Sequence, residues 1–146
     1  KAVMAGVAPD IVDDASVSEI LPVGTLAMMD SIGLDTVHAA VIQYTARMPE
    51  AEAQALTPLR EGLKVLVDMG KHGAKNRDGI LRGRPLPWTL DDPPELDPGF
   101  TNRIAALFRE TCEAFVREGL MDRGSLGLVL DGLLGVTAPW VQEVGP

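Results

Sequence analysis

A proline-rich segment divides this chain and limits what either side of it can fold into. Five of the eleven prolines lie in residues 83–99. Proline fixes φ and has no backbone N–H, so this density excludes a helix or an interior strand. We expect a linker that is extended and lies over the surface. The regular structure must therefore come from the segments before and after it.

Before the linker, apolar residues recur at the spacing of an amphipathic helix. Thr57 is placed to cap this helix, Pro58 suits its first position, and Gly70 is expected to end it. Residues 50–56 predict a short acidic helix or turn just upstream. The stripe itself follows spacings of four, three and one: Leu59, Leu63, Leu66 and Val67.

Three earlier helices are expected, each bounded by proline, glycine or a capping residue. Their inward residues are spaced three and four apart, and in the third of them we expect Val37, Ala40, Val41 and Tyr44 to face the core. The expected limits are a start at Pro9-Asp10 for the first, Pro22 to Gly33 for the second, and Asp35 or Thr36 to Met48-Pro49 for the third.

The longest helix is predicted after the linker, with Asp97 as its cap, Pro98 in its first position and Gly119 at its end. Residues 125–144 predict further short helices. No stretch alternates with the period of two that marks a strand, so the predicted fold class is all-α. The apolar face of the long helix comprises Ile104, Leu107, Phe108, Thr111, Cys112, Phe115 and Val116.

Composition narrows the possible partners and compartment. Thirteen basic residues against 21 acidic ones give a net charge of −8, and such a surface repels phosphates, so nucleic acid is not expected as a general partner. One cysteine, Cys112, permits no intrachain disulfide, which fits a reducing, cytoplasmic location. No apolar run approaches the roughly 20 residues of a membrane span, and no signal peptide is recognised. We interpret Lys1 as an internal residue of a longer chain.

An internal echo relates the two ends of the chain. Residues 2–32 align with residues 115–145, and the alignment pairs Gly6 with Gly119 and Val23 with Val136. Equal spacing in both segments indicates a duplication, although any two helical stretches share Leu and Val. From the spacing alone, both a duplication and a chance likeness between two helical stretches stay open.

A glycine- and lysine-rich segment, residues 70–79, is the one candidate for a binding loop. It follows a helix rather than a strand, so it lacks the geometry of the dinucleotide and nucleoside-triphosphate loops. One interpretation is a helix stop with a solvated turn. The other is a cationic patch for a phosphate or for the carboxylates of a partner, formed by Lys71, Lys75 and Arg77, with Arg82 and Arg84 following.

Other reactive side chains indicate no site. His38 and His72 are the two histidines, and neither has a second His or Cys at ligand spacing, so no metal site is predicted. Cys112 lies on an apolar face, where an inert buried thiol is expected. The acidic pairs, such as Asp13-Asp14, are interpreted as solvated faces. We assign no catalytic, cofactor-binding or metal-binding residue.

Two stretches together resemble one family. Residues 22–35 read PVGTLAMMDSIGLD, and residues 70–79 read GKHGAKNRDG. Their order and separation resemble the carboxy-terminal domain of 3-hydroxyacyl-CoA dehydrogenases, which shows Pro-x-Gly-Pro-x-x-x-x-Asp-x-x-Gly-Leu-Asp, a helix, and a Gly-x-x-Gly-x-Lys-x-x-x-Gly loop before an aromatic pair. Thr25 departs from this pattern at the second proline, and Ile80-Leu81 replace the aromatic pair.

The resemblance implies a helical fold like the C-terminal domain of 6-phosphogluconate dehydrogenase. It implies that residues 1–82 are a first helical copy without its amino-terminal helix, residues 83–99 a linker, and residues 100–146 a partial second copy. In this family NAD and the catalytic His and Glu lie in a preceding nucleotide-binding domain. The family's catalytic Asn lies in an Asn-Arg pair that opens the first helical copy, upstream of where Lys1 stands. Asn102-Arg103 resembles the family's Asn-Arg pair, but it falls in the second copy and is interpreted as part of a first helical turn.

The leading hypothesis is the helical part of a NAD-dependent 3-hydroxyacyl-CoA dehydrogenase of fatty-acid β-oxidation. This chain would wall the acyl-CoA site and supply domain and subunit contacts, and it would hold no cofactor itself. Its expected partners are the upstream nucleotide-binding domain, the acyl-CoA substrate of the parent chain and further copies in a homo-oligomer. The alternative is a non-catalytic helical binding or dimerisation module on the same scaffold.

Overall fold

The computed structural model describes residues 1–17 and 22–132. These residues form seven α-helices and one turn of 3₁₀-helix, and among them there is no strand beyond an isolated antiparallel bridge between Gly73 and Asp78. The predicted all-α class is confirmed. The 3₁₀ turn is Val3–Ala5, and the helices are α1 (Pro9–Val17), α2 (Thr25–Ile32), α3 (Leu34–Thr45), α4 (Glu50–Ala55), α5 (Thr57–Asp68), α6 (Phe100–Arg117) and α7 (Arg123–Gly132).

The chain divides into two compact units. The first comprises residues 1–12 and 26–96, and the second comprises residues 13–25 and 97–146. The predicted division into two copies and a linker stays a prediction. Several pairs of the internal echo, such as Val23 with Val136, involve a residue outside the described part of the chain. Most of the predicted tail, residues 125–144, also lies outside the described part of the chain, and α7 covers only its beginning.

The core of the first unit forms where α3 packs against α5. Leu63 and Leu66 of the predicted stripe are buried, and Val67 packs beside them, whereas Leu59 is 40% exposed. Leu34 is completely buried, although the predicted apolar face of its helix did not include it. Removing such aliphatic side chains from water supplies most of the stabilisation of a small helical core.

The inward face of α3 was predicted only in part. Val37 and Val41 pack against the core, and with Leu34 they form a stripe at spacings of three and four. Ala40 and Tyr44 are exposed, Tyr44 by 67%, so their predicted burial is wrong. Ala40 precedes Val41 and points about 100° away from it around the helix, and Tyr44 lies in the last turn.

α2 begins three residues later than predicted, at Thr25 rather than near Pro22. The Thr25 N–H donates a hydrogen bond to Ser16 Oγ at 3.0 Å, which satisfies a donor at the open end of the helix. Gly24 is required here because a Cβ at that position would overlap the carboxylate of Asp13. The start of α2 is therefore set by α1 and not by a local cap.

α3 also begins at an unpredicted residue. Its N-cap is Gly33, with φ of 104°, and Leu34 is its first residue. The predicted caps Asp35 and Thr36 lie within the first turn, and their side chains accept hydrogen bonds from the Lys75 ammonium. The side-chain oxygens expected to cap the helix therefore bind Lys75, a residue about forty positions away in the sequence.

Two further helices begin at residues other than those predicted, α5 one residue earlier and α6 two residues later. Thr57 is the first residue of α5 instead of its cap, and Leu56 precedes it without a side-chain hydrogen bond. α6 begins at Phe100, two residues after Pro98. Asp97 accepts hydrogen bonds from the Gly99 N–H and from Arg103, so its carboxylate still lies at this helix end.

In the second unit, the buried residues described on α6 and α7 are Cys112, Leu126 and Leu130. Burial raises the pKa of the Cys112 thiol, as expected for an inert cysteine. The predicted face of α6 is too wide, because Leu107 is 62% exposed and Phe115 is 42% exposed.

The proline-rich segment forms no helix, as predicted, but part of it is not a surface linker. Leu86 belongs to the core of the first unit, and Trp88 packs against that core. These two apolar side chains anchor the segment to the core, because removing them from water is favourable. No helix in residues 1–17 and 22–132 is long and apolar enough to cross a membrane.

Candidate functional site

The loop of residues 70–84, named here the 70–84 loop, begins where α5 ends. Gly70 adopts φ of +77°, and the Lys71 N–H donates to the Leu66 carbonyl in the helix-ending geometry that glycine permits. Gly73 and Asp78 then exchange both backbone hydrogen bonds across the turn, at 2.9 and 3.2 Å. The segment is therefore a closed turn with its own backbone pairing.

Asp30 of α2 attaches this loop to the helix. Its carboxylate accepts hydrogen bonds from the N–H groups of Ile80, at 2.8 and 3.0 Å, and Leu81, at 3.0 Å. Its backbone carbonyl accepts from the Ala74 N–H at 2.8 Å. One residue of α2 thus binds both sides of the turn, which fixes the loop in place.

The two glycines that flank the turn are required by this close approach. A Cβ on Gly73 would overlap the backbone carbonyl of Asp30, and Gly73 also has φ of +73°. A Cβ on Gly79 would overlap the Asp30 carboxylate. The positions of Gly73 and Gly79 therefore reflect contact with α2.

Lys71 is the internal support of the loop. Its side chain is completely buried, and Nζ donates to Asp78 Oδ1 at 2.6 Å, to the Gly79 carbonyl at 3.1 Å and to the Arg84 carbonyl. An ammonium group has three donors, so all of them are used. A buried charge is tolerated because it is both paired and fully hydrogen-bonded.

Asp78 joins Lys71 to Arg84. Its Oδ2 accepts from Arg84 Nε at 2.7 Å, and Arg84 donates further to the Met69 carbonyl. The hydrogen bond from Lys71, and then those from Arg84, hold the pKa of the Asp78 carboxyl well below its usual range. The carboxylate is therefore ionised at neutral pH and closes the loop.

The three cations predicted as one patch lie in three environments. Lys71 is buried and has no surface for a ligand. Lys75 is ion-paired with Asp35 at 2.6 Å, and its hydrogen bond lowers the pKa of that carboxyl. Arg77 is exposed at the turn. The structure does not bring these three charges together on one surface, and phosphate binding at Lys75 or Arg77 stays a prediction.

Sequence reasoning missed the residues that organise the loop. Asp30 and Asp78 lie in the two family-like motifs but received no role, and Arg84 was named only as a cation. Asn76 was overlooked: its Oδ1 accepts from the N–H groups of His72 and Asp78, and its Nδ2 donates to the Gly70 carbonyl. Asparagine in a glycine-rich turn is the available signal, since its side chain mimics backbone groups.

A groove of about 550 Å³ runs along α2 beside the loop. Ala27 and Ser31 line it from the helix, and Arg77, Leu81 and Arg82 line it from the loop. Its size lies within the range of small-molecule sites, roughly 300–1,000 Å³. This groove is therefore a candidate site in the first unit.

The described residues can be compared with the requirements of a metal site and of a dinucleotide-binding loop. In residues 1–17 and 22–132 no group of three His, Cys, Asp or Glu side chains is placed to hold a metal ion. A dinucleotide site needs a glycine turn between a strand and a helix. The 70–84 loop follows α5 instead and encloses the buried side chain of Lys71, so it lacks the geometry of a dinucleotide-binding loop.

The loop, up to Gly83, and the helix that it contacts lie in a segment that matches a known family. The family model described as "3-hydroxyacyl-CoA dehydrogenase, C-terminal domain" matches residues 1–83. The matched segment includes α1 to α5, Asp30, Lys71 and the two glycines that contact α2. A search of curated proteins finds no match to the chain.

Proposed function

Because this chain belongs to the 3-hydroxyacyl-CoA dehydrogenase C-terminal domain family, we propose that it is the helical part of a NAD-dependent 3-hydroxyacyl-CoA dehydrogenase of fatty-acid β-oxidation. In this proposal a preceding nucleotide-binding domain holds NAD and supplies the catalytic His and Glu. The present chain walls the acyl-CoA site and provides domain and subunit contacts.

The observation that carries the proposal is the match over residues 1–83 together with the structural role of its motif residues. Asp30, Gly73 and Gly79 form one contact between α2 and the loop. These residues stabilise a scaffold and are not arranged as a nucleophile and base. A scaffold domain that depends on a neighbour for its chemistry accounts for that arrangement.

Exposed apolar residues support the proposed contact role. Met28 and Ile32 lie four residues apart on α2, so they share one face of the helix, and they are 38% and 49% exposed. Ile42 and Tyr44 of α3 are also exposed, by 46% and 67%. Apolar side chains that share an exposed helix face, as Met28 and Ile32 do, are typical of a contact with another domain or with an apolar substrate chain.

The test is the activity of the full-length protein that contains this chain. We expect oxidation of NADH that depends on acetoacetyl-CoA. The double substitution of Met28 and Ile32 by serine should raise KM or lower kcat, because it makes the proposed contact face polar. Val65→Ser on α5, where Val65 is 40% exposed, is the matched control and should leave turnover unchanged. No turnover by the unaltered protein would refute the proposal.

The alternative, a non-catalytic binding or dimerisation module, is favoured by the departures at Thr25, Ile80 and Leu81. The loss of the aromatic pair is compatible with the scaffold, since Ile80 is buried and the N–H groups of both residues bind Asp30. This alternative predicts that the full-length protein has no turnover but still self-associates. Measurable turnover excludes it.

We also propose that the protein is cytoplasmic and forms a homo-oligomer, as the leading hypothesis expects. The support is the lone buried Cys112, which fits a reducing compartment, and the exposed apolar face of α2. Sedimentation equilibrium of the full-length protein tests the second part. A mass that stays that of one chain at high protein concentration would exclude a homo-oligomer.

A further inference from the structure

Two arginines in the groove along α2 differ from every other cation of the 70–84 loop. Lys71 and Arg84 share Asp78, and Lys75 is paired with Asp35. The side chains of Arg77 and Arg82 are exposed and make no hydrogen bond or ion pair with another described residue. Both line the groove. Two unneutralised guanidinium groups therefore border one concave surface.

This positive site is unexpected in a chain with a net charge of −8. Five of the thirteen basic residues lie in residues 71–84, against a single acidic one, Asp78. Three of the five are used internally, which leaves the two at the groove for an external anion. An acidic protein gains nothing for solubility from these two charges, since they reduce the magnitude of its net charge.

The backbone at Arg77 adds an independent observation. Arg77 has φ of 59° and is the one non-glycine residue with a positive φ in the described ranges. This left-handed conformation disfavours side chains with a Cβ and suits glycine or asparagine. A long cationic side chain held where glycine would fit more easily indicates a role for the guanidinium group itself.

The rest of the groove suits an uncharged body attached to the anion. Its other lining residues include Ala27, Gly73, Ala74 and Gly79, which have little or no side chain. The one carboxylate in the lining, Asp30, already accepts hydrogen bonds from Ile80 and Leu81. Its negative charge nevertheless opposes a weakly charged ligand, so an occupant needs enough charge to engage both arginines.

We propose that this groove binds the phosphate groups of a phosphorylated small molecule, with Arg77 and Arg82 as the phosphate ligands. Guanidinium groups bind phosphate oxygens through paired N–H donors. Two guanidinium groups match a phosphate monoester or diphosphate, which carries more than one negative charge, better than a single carboxylate. The proposal does not depend on the dehydrogenase function.

The test is calorimetric titration of the full 146-residue chain with ADP, pyrophosphate and adenosine at low salt. ADP and pyrophosphate should bind, and adenosine should bind at least tenfold more weakly than ADP, because it lacks the charge. Raising the salt concentration should weaken ADP binding, since these cations are exposed and screened. Equal binding of adenosine and ADP would overturn the proposal, and so would the absence of ADP binding.

Two variants assign the site. Arg77→Gly should weaken ADP about tenfold or more, because it removes charged hydrogen bonds, while the folded chain is retained because glycine accepts the positive φ. Arg82→Ala should have a similar effect. Arg60→Ala on the exposed side of α5 is the matched control and should leave ADP affinity unchanged.

Unchanged ADP affinity in both groove variants would overturn the proposal. So would an acidic peptide that binds more tightly than ADP in the same assay, since that would identify a protein partner instead of a phosphorylated small molecule. Thermal unfolding of each variant shows whether a loss of binding reflects a loss of fold. A loss of ADP binding in a variant that unfolds at the temperature of the unaltered chain supports the assignment.

Discussion

The 70–84 loop and the α6–α7 pair are held together in opposite ways. In the loop, polar groups far apart in sequence meet: Asp30 binds the N–H of Ile80, fifty residues away. In the α6–α7 pair, apolar residues such as Cys112 and Leu130 are buried, and the described ion pair between the helices, Arg123 with Glu113, is exposed. The first arrangement specifies positions, and the second mainly excludes water.

This difference matters for function. Hydrogen bonds are directional, so a loop held by Asp30 and Lys71 can present nearby side chains in a defined geometry. Apolar contacts tolerate small shifts, provided that volume is conserved. The candidate site therefore lies in the region whose irregular backbone is fixed by polar contacts, and not on the longest helix.

The largest expected effect comes from removing the buried charge of the loop. Lys71→Met leaves the carbonyls of Gly79 and Arg84 without their donor, and we expect a loss of about 3–4 kcal/mol in the free energy of unfolding of the first unit. Urea unfolding followed by amide NMR signals of that unit measures it. Lys64→Met, at an exposed helical pair with Asp68, is the control and should cost less than about 0.5 kcal/mol. Equal losses in the two variants would show that the loop is not supported by Lys71.

The second effect concerns the apolar contact. Leu130 is 2% exposed and Leu128 is 76% exposed, although both lie on α7. Leu130→Ala should lower the stability of the second unit by about 2–3 kcal/mol, since it removes buried methyl groups and leaves a cavity. Leu128→Ala should change it by less than about 0.5 kcal/mol. The same urea series, read on signals of α6 and α7, distinguishes them, and a reversed order would contradict the apolar packing described.

The third prediction sets two glycine substitutions against each other. Gly79→Ala places a Cβ against the Asp30 carboxylate and should cost about 1–2 kcal/mol by weakening the hydrogen bonds to Ile80 and Leu81. Gly127 lies within α7 with open space around its Cβ position. Gly127→Ala should therefore stabilise α7 by about 0.5–1 kcal/mol. Thermal unfolding gives the sign of each change, and a stabilising Gly79→Ala would exclude close packing of the loop on α2.

The smallest expected effect is a dependence of stability on pH, which appears only in acid. The folded-state pKa of Asp78 is lowered, so its contribution to stability is complete above the ordinary carboxyl pKa of about 3.9 and declines as the pH falls below it. Between pH 5 and pH 2.5 the first unit should lose less stability in Asp78→Asn than in the unaltered chain. Asp91→Asn, in the exposed part of the proline-rich segment, should keep the unaltered pH profile. Identical profiles for all three chains would show that Asp78 is not held ionised by Lys71 and Arg84.

Periodicity predicted the helices well because an apolar stripe needs only neighbours three and four residues apart. It did not predict the caps, since Ser16 and Lys75 reach the ends of α2 and α3 from elsewhere in the chain. Lys71 was taken for a surface charge because two of its three acceptors are backbone carbonyls, which no side-chain pattern reveals. The role of Asp30 depends on a contact across fifty residues.

Amide hydrogen exchange of the full chain most directly tests whether the 70–84 loop is a fixed part of the first unit. The N–H groups of Ala74, Ile80 and Leu81, which bind Asp30, should exchange about as slowly as those of α5. Asp30→Ala should speed exchange at Ile80 and Leu81 and leave α7 unchanged. Exchange of these amides in the unaltered chain at the rate of unstructured peptides would contradict the account.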